Sequence, residues 1–198
     1  MSAEPERRWT VEEYLALERE SEIRHEYLDG EIFAMSGGSR QHNRISWNIV
    51  GALDAQLRGG RCEGFASDMR VRIPATGLFT YPDVVVVCGE PHFDDAESPD
   101  TLLNPTLVVE VLSPSTEDYD RGRKFAHYRS VATLEIYLLV AQDRVHVERF
   151  ARQPSGLWVL YETEDLGETI ELPAIGATLA LTDVYYRVPG VMGDKRSG

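Results

Sequence analysis

Asp83 and Glu110 each lie on a run of β-branched residues. Tyr81-Pro82-Asp83 opens Val84-Val85-Val86-Val87, and Glu110 is the one polar side chain within Leu107-Val108-Val109-Glu110-Val111-Leu112. Runs this apolar read as strands covered on both faces. A carboxylate buried there costs on the order of several kcal/mol unless it is protonated, paired or bound to a cation. Two carboxylates converging from neighbouring strands suit a hard divalent ion with a preference for oxygen. Such an ion polarises a phosphodiester and acidifies its bound water. Asp120, Lys124 and Tyr128 follow four residues apart on a predicted helix, so they share one face. Lys124 can then point back to the end of the Glu110 strand, where a cation orients water or stabilises charge on a reacting phosphate. A plainer reading stays open for each residue. Asp83, following Pro82, can accept backbone hydrogen bonds at a strand start, and Lys124 can be an ordinary partner of Asp120.

These residues need a scaffold, and its elements are legible in outline. Thr10 with Glu13 forms a capping-box pattern for a helix to about Arg19. Asp29-Gly30, between His25-Glu26-Tyr27-Leu28 and Glu31-Ile32-Phe33-Ala34, is a two-residue hairpin signal. Ser36-Gly37-Gly38-Ser39 breaks the strand and offers a cap for a helix from Arg40 to Leu57. Ile45, Ile49, Leu53 and Leu57 form its apolar stripe, and Gly59-Gly60 ends it. Cys62 to Ala66 and Met69 to Ile73 read as short strands, joined near Ser67-Asp68 in a hairpin or as one bent strand. The acidic segment from Gly89 to Pro105 reads as a surface excursion. After the Glu110 strand, Ser115 or Thr116 starts a helix to about Arg129. Strands follow at Leu134 to Val140 and Val145 to Phe150, joined by a turn at Gln142-Asp143. Leu157 to Glu162 and a strand near Ile170 are expected to extend the same sheet. Residues from Gly190 onward read as a frayed tail. The order helix, hairpin, helix, strands, helix, strands predicts a mixed α/β arrangement in a single domain over 1–198, with its core at about 10–188.

Composition narrows the classes. The 198 residues carry a formal net charge of −13, which argues against constitutive, nonspecific nucleic-acid binding, because phosphate contacts need basic patches. A nuclease is still allowed, since basic residues gather locally at Arg121, Arg123, Lys124 and Arg129. No apolar stretch approaches the roughly 18 residues that span a bilayer, and the first residues lack the apolar core of a secretory signal, so a cytoplasmic protein is expected. Cys62 and Cys88 form no close-spaced metal motif and are expected to be free thiols. The five histidines are too scattered for a zinc signature, and Ser36-Gly37-Gly38-Ser39 lacks the lysine of a phosphate loop.

The strings PDVVVV and LVVEVLSPST, a following acid, and K-x-x-x-Y resemble the Uma-type family of restriction-endonuclease homologues, within the PD-(D/E)XK nuclease superfamily. Upstream, EYLDGEIFAMSGGS and the histidine of QHN resemble the family's N-terminal signature. TLEIYLLV stands in place of a strand that usually bears tryptophan. The resemblance covers roughly Val11 to Phe150. It implies a restriction-endonuclease-like core, with helices flanking a central mixed sheet and an N-terminal helix plus β-hairpin. It also implies Mg²⁺, with Mn²⁺ able to substitute, and hydrolysis of DNA phosphodiester bonds. Carried over, Asp83 is the PD aspartate and Glu110 the second acid; the Val111 carbonyl is expected as a further contact of the ion. The standard motif puts lysine two positions after the glutamate, where Leu112 stands here; the displaced lysine corresponds to Lys124. The N-terminal signature adds Glu31, as a further metal-shell acid or a solvated hairpin residue, with Glu26 a weaker candidate. It also adds His42, as a neutral hydrogen-bonding group at a helix start or a satisfied core histidine. A homodimer acting on DNA is expected. The alternatives are a catalytically inactive binding or assembly module, and a nuclease acting on RNA or a smaller phosphate ester.

Overall fold

A computed structural model describes residues 7–95 and 97–191, so most of the expected tail lies outside the described residues. Helix α1 is Val11–Glu20, and Thr10 caps it with both hydrogen bonds of the capping box. Strands β1 (His25–Leu28) and β2 (Glu31–Ala34) form the expected hairpin. Asp29 and Gly30 both take positive φ, 51° and 86°, the backbone that a primed two-residue turn requires. Helix α2 runs Arg40–Leu57, capped by the Ser39 side chain, and buries Ile45, Ile49, Leu53 and Leu57.

The remaining strands are β3 (Cys62–Ala66), β4 (Arg70–Ile73), β5 (Leu78–Thr80), β6 (Val84–Cys88), β7 (Thr101–Leu102), β8 (Leu107–Leu112), β9 (Ile136–Ala141), β10 (Val147–Arg152), β11 (Trp158–Thr163), β12 (Thr169–Leu172) and β13 (Ala177–Ala180). They form a six-stranded sheet in the order β11-β10-β9-β8-β6-β3, a five-stranded sheet β2-β1-β5-β4-β7, and the separate pair β12-β13. In the large sheet β8 and β9 are parallel, and the other pairs are antiparallel. Helix α3, over 117–128, joins β8 to β9.

Strand alternation divides the core. Val84, Val86, Leu107, Val109 and Val111 face α2 and the β12-β13 pair. Val85, Val87, Val108 and Leu112 face the other way, onto Phe125, Tyr128 and the second sheet. Glu110 shares the parity of Val108 and Leu112, and Asp83 that of Val85. Both carboxylates therefore open on the α3 side.

Three expectations need correction. β3 and β4 are neither a hairpin nor one bent strand: the chain turns at Ala66–Met69 and changes sheets. Arg70 gives the reason, because its buried guanidinium bonds Thr101, Tyr81 and Asp100 and ties β4 to the second sheet. β12 does not extend the large sheet; Ile170 and Leu172 instead pair with β13 and cover the α2-side core. Cys62 and Cys88 are joined in a disulfide. The β3-β6 register sets them directly opposite one another, and their spacing in the sequence does not reveal this. The acidic excursion before β8 also contains a short pairing, since β7 runs parallel to β4.

Candidate functional site

The β6-β8 register ends at Val84↔Val109, so Asp83 and Glu110 are the next residues along from that pair. Asp83 holds the neighbouring strand at its end: the Val111 N–H donates to Asp83 Oδ2 at 2.7 Å. This is the backbone-accepting role that Pro82 made plausible, combined with a position beside Glu110. His42 Nε2 lies 3.2 Å from the other oxygen, Asp83 Oδ1. The Ser39 cap orients the first turn of α2 by accepting the His42 backbone N–H, and the inward face of that helix brings the imidazole to the end of the sheet. Burial disfavours the imidazolium, yet the Asp83 carboxylate and a backbone hydrogen bond at Val111 outweigh it and raise the His42 pKa. The helix N-terminus pointed to a neutral ring; a carboxylate in contact overrides that dipole.

Lys124 approaches from the other side. Its amine lies 2.9 Å from Glu110 Oε1, 3.1 Å from Glu26 Oε1 and 3.6 Å from Asp120 Oδ1. The Tyr128 hydroxyl donates to the same Glu110 oxygen at 3.4 Å. The Thr80 hydroxyl donates to Glu26. Lys124 and Glu110 are each only 4% exposed. Helix α3 makes this convergence with an irregularity: an α turn at Glu117–Tyr119 widens into a π turn at Asp120–Lys124 before α-helix resumes at Phe125–Tyr128. Such bulges are rare inside helices and often mark functional positions.

The electrostatics follow from the count of charges. Glu26, Asp83, Glu110 and Asp120 share this region with Lys124 and His42. Four carboxylates against two cations leave an excess of two negative charges when all are ionised. Burial pushes the Glu110 carboxyl well above the ordinary range even with Lys124 beside it, and the nearby Asp120 and Asp83 charges add to the shift. Burial also raises Asp120. The surrounding Glu110, Glu26 and Asp120 outweigh the burial of Lys124 and hold its pKa well above the ordinary value.

Asp83, Glu110, Val111, Lys124 and His42 are thus brought together, while Glu31 is not. Its side chain is 50% exposed and lies 4.0 Å from Arg8. As the first residue after the hairpin turn it sits at the tip, whereas Glu26 lies toward the base of β1, between β2 and β5. The acid that reaches the site from this hairpin is Glu26, the weaker sequence candidate. The β1-β5 pairing, which the hairpin sequence does not show, is what turns this end of β1 toward the site. Asp120, first read only as a helix partner of Lys124, also belongs here. Among the described residues, no three His, Cys, Asp or Glu side chains already form a cation cage.

A second buried network anchors the strand entry. Tyr81, two residues before Asp83, donates its hydroxyl to Glu18, and Arg70 donates to the same hydroxyl. Glu18 also takes the His25 N–H. Strand β1, the Tyr81-Pro82-Asp83 segment and β4 are therefore fixed to one another through side chains.

This arrangement of sheets and helices is shared with a solved protein. The crystal structure described as a "putative nuclease belonging to DUF820" from Anabaena variabilis ATCC 29413 matches with a TM-score of 0.72 over 89% of this chain and 97% of that one, at 18% identity. The class is therefore the mixed α/β fold of that protein. Within that class, the model of the Uma2 family, described as "Putative restriction endonuclease", matches residues 11–182, and the chain belongs to this family. The match extends past Phe150, where the resemblance of the motifs stopped, through the β12-β13 pair. Two similar relatives come from Synechocystis sp. (strain ATCC 27184 / PCC 6803 / Kazusa). Uncharacterized protein slr1290 is 42% identical over 89% of this chain and 90% of its own length. Uncharacterized protein sll1609 is 37% identical over 82% and 90%. No described helix is long and apolar enough to cross a membrane.

Proposed function

We propose that this protein is a metal-dependent endonuclease that hydrolyses DNA phosphodiester bonds, with one Mg²⁺, replaceable by Mn²⁺, at Asp83 and Glu110. The observation that carries the reading is the gathering of four carboxylates, Glu26, Asp83, Glu110 and Asp120, around Lys124 and His42: fully ionised, the group holds two negative charges in excess, which a divalent cation would neutralise. The donors suit Mg²⁺, which is commonly held by one or two carboxylates and keeps several waters, so a complete protein cage is not required. Asp83, Glu110 and the Val111 carbonyl would hold it; it supplies charge neutralisation at the phosphate and an acidified water.

The chain's own groups divide the remaining work. Lys124 and Tyr128 both address Oε1 of Glu110, so they would orient the carboxylate without occupying its other oxygen. Lys124 stays protonated at neutral pH, so it serves as a fixed positive charge that orients Glu110 and does not abstract a proton. His42 orients Asp83 through Oδ1, and the Val111 N–H fixes Oδ2. Glu26 and Asp120 hold Lys124 in place. A homodimer suits the cutting of both strands, because two-fold symmetry in the protein matches that of the duplex.

One observation favours a second reading, a nuclease-derived binding module without catalysis. Leu112, at the position where the standard motif carries lysine, is buried in the α3-side core. Incubation with supercoiled plasmid separates the two. The nuclease reading expects nicked or linear DNA with Mg²⁺ and none with EDTA. Intact plasmid at every metal concentration, beside a protein that still binds Mn²⁺, favours the binding module. Digestion of RNA but not plasmid under the same conditions reassigns the substrate.

A further inference from the structure

The outer face of α2 carries a group of side chains that the metal site does not use. Trp47 is 70% exposed; a lone exposed ring is ordinary, and what sets this one apart is its company. Arg44 and Arg40 lie about one and two helical turns before it. Beside them sits Tyr186, 48% exposed, with the Arg44 guanidinium 5.9 Å from its ring centre and that of Arg187 at 5.3 Å. This neighbour is fixed: the Asn48 amide donates to the carbonyls of Val184 and Tyr186, and Arg44 Nε donates to that of Tyr186. Two presented rings and three guanidinium groups therefore share one surface. The chain as a whole carries −13, so attraction for a polyanion has to come from a local concentration of this kind.

We infer that this face binds a nucleic-acid strand with unpaired bases, which stack on Trp47 and Tyr186 while Arg40, Arg44 and Arg187 meet its phosphates. The inference rests on the nuclease reading and adds a substrate class to it. Bases within a duplex have both faces covered by their neighbours, so a protruding ring can stack only on bases that are unpaired or splayed out. The face lies apart from the chemistry. His42, in contact with Asp83, is on the inward side of the same helix, five residues before Trp47 and so about 140° round the axis from it.

Fluorescence anisotropy with a labelled oligothymidylate, in EDTA so that no strand is cut, tests the inference. Wild type is expected to bind, and Trp47→Ala to weaken binding about tenfold or more, the usual effect of losing one stacking ring. Trp47→Phe should restore most of the affinity. Arg44→Gln should flatten the dependence of log affinity on log salt by about 0.7. Because Trp47 is exposed, unchanged melting curves will exclude misfolding. Asp83→Asn is expected to bind like wild type, which separates this surface from the catalytic reading: a protein that binds through Trp47 but never cleaves overturns only the nuclease assignment. Three results overturn the inference: no binding by wild type, equal binding by Trp47→Ala, or a wild-type dimer that Trp47→Ala dissociates in light scattering while DNA binding stays unchanged. The last would make this face a protein interface.

Discussion

Asp83→Asn is expected to lower Mg²⁺-dependent plasmid cleavage by roughly three orders of magnitude, because a metal-held phosphate gains several kcal/mol of charge stabilisation and each decade of rate is worth about 1.4 kcal/mol. The substitution preserves size and leaves an oxygen that can accept the Val111 N–H, now bonded at 2.7 Å. It removes the charge that faces His42 and that would face the proposed cation. The metal-free protein should keep its melting temperature or gain slightly, since one of four crowded carboxylates is neutralised. That pairing of outcomes is diagnostic. A purely structural Asp83 would lose stability along with activity, and an Asp83→Asn protein as active as wild type would show that the cleavage comes from elsewhere.

Lys124→Met is expected to have the largest effect on stability. Lys124 is the shared cation of Glu110, Glu26 and Asp120 at 2.9, 3.1 and 3.6 Å. Removing one partner of a buried ion pair costs about 3–5 kcal/mol, and at roughly 2–4 °C per kcal/mol for a chain of this size the melting temperature should fall by about 10 °C. The sign of the pH dependence follows from the carboxylates. Glu110 and Asp120 already titrate above their ordinary values, and without Lys124 they rise further. A raised carboxylate leaves stability intact below its unfolded pKa and lowers it as pH climbs through the folded one. The deficit of the variant should therefore be small near pH 4 and widen toward neutrality. Adding Glu26→Gln should recover part of the loss, because the pair couples. A melting temperature equal to wild type at pH 7 would show that Lys124 is not the charge holding this cluster together.

Much of this was legible because local signals agreed. The Thr10 capping box, the Asp29-Gly30 turn and the apolar stripe of α2 each have a short-range cause, and each element appears with the expected bounds or nearly so. Asp83 and Glu110 stood out because a carboxylate inside an apolar run needs an explanation. What escaped the sequence was non-local. Which sheet β4 joins depends on Arg70 finding Asp100 and Thr101 in a later segment. The Cys62–Cys88 bond depends on the β3-β6 register, and the isolation of β12 depends on β13. The choice of Glu26 over Glu31 turns on strand position within a sheet whose β1-β5 contact is invisible in the hairpin itself. The π turn in α3 carries no Pro or Gly pair that announces it; its one glycine, Gly122, is exposed.

The most direct measurement is a calorimetric titration of the metal-free protein with Mn²⁺, run on wild type and on Glu110→Gln. One ion per wild-type chain is expected, with binding weakened at least about tenfold in the variant, as for other changes in the ligand environment of a bound metal. A wild-type chain that takes up no ion, or a Glu110→Gln chain that binds it equally well, would contradict the assignment of Asp83 and Glu110 as a metal site.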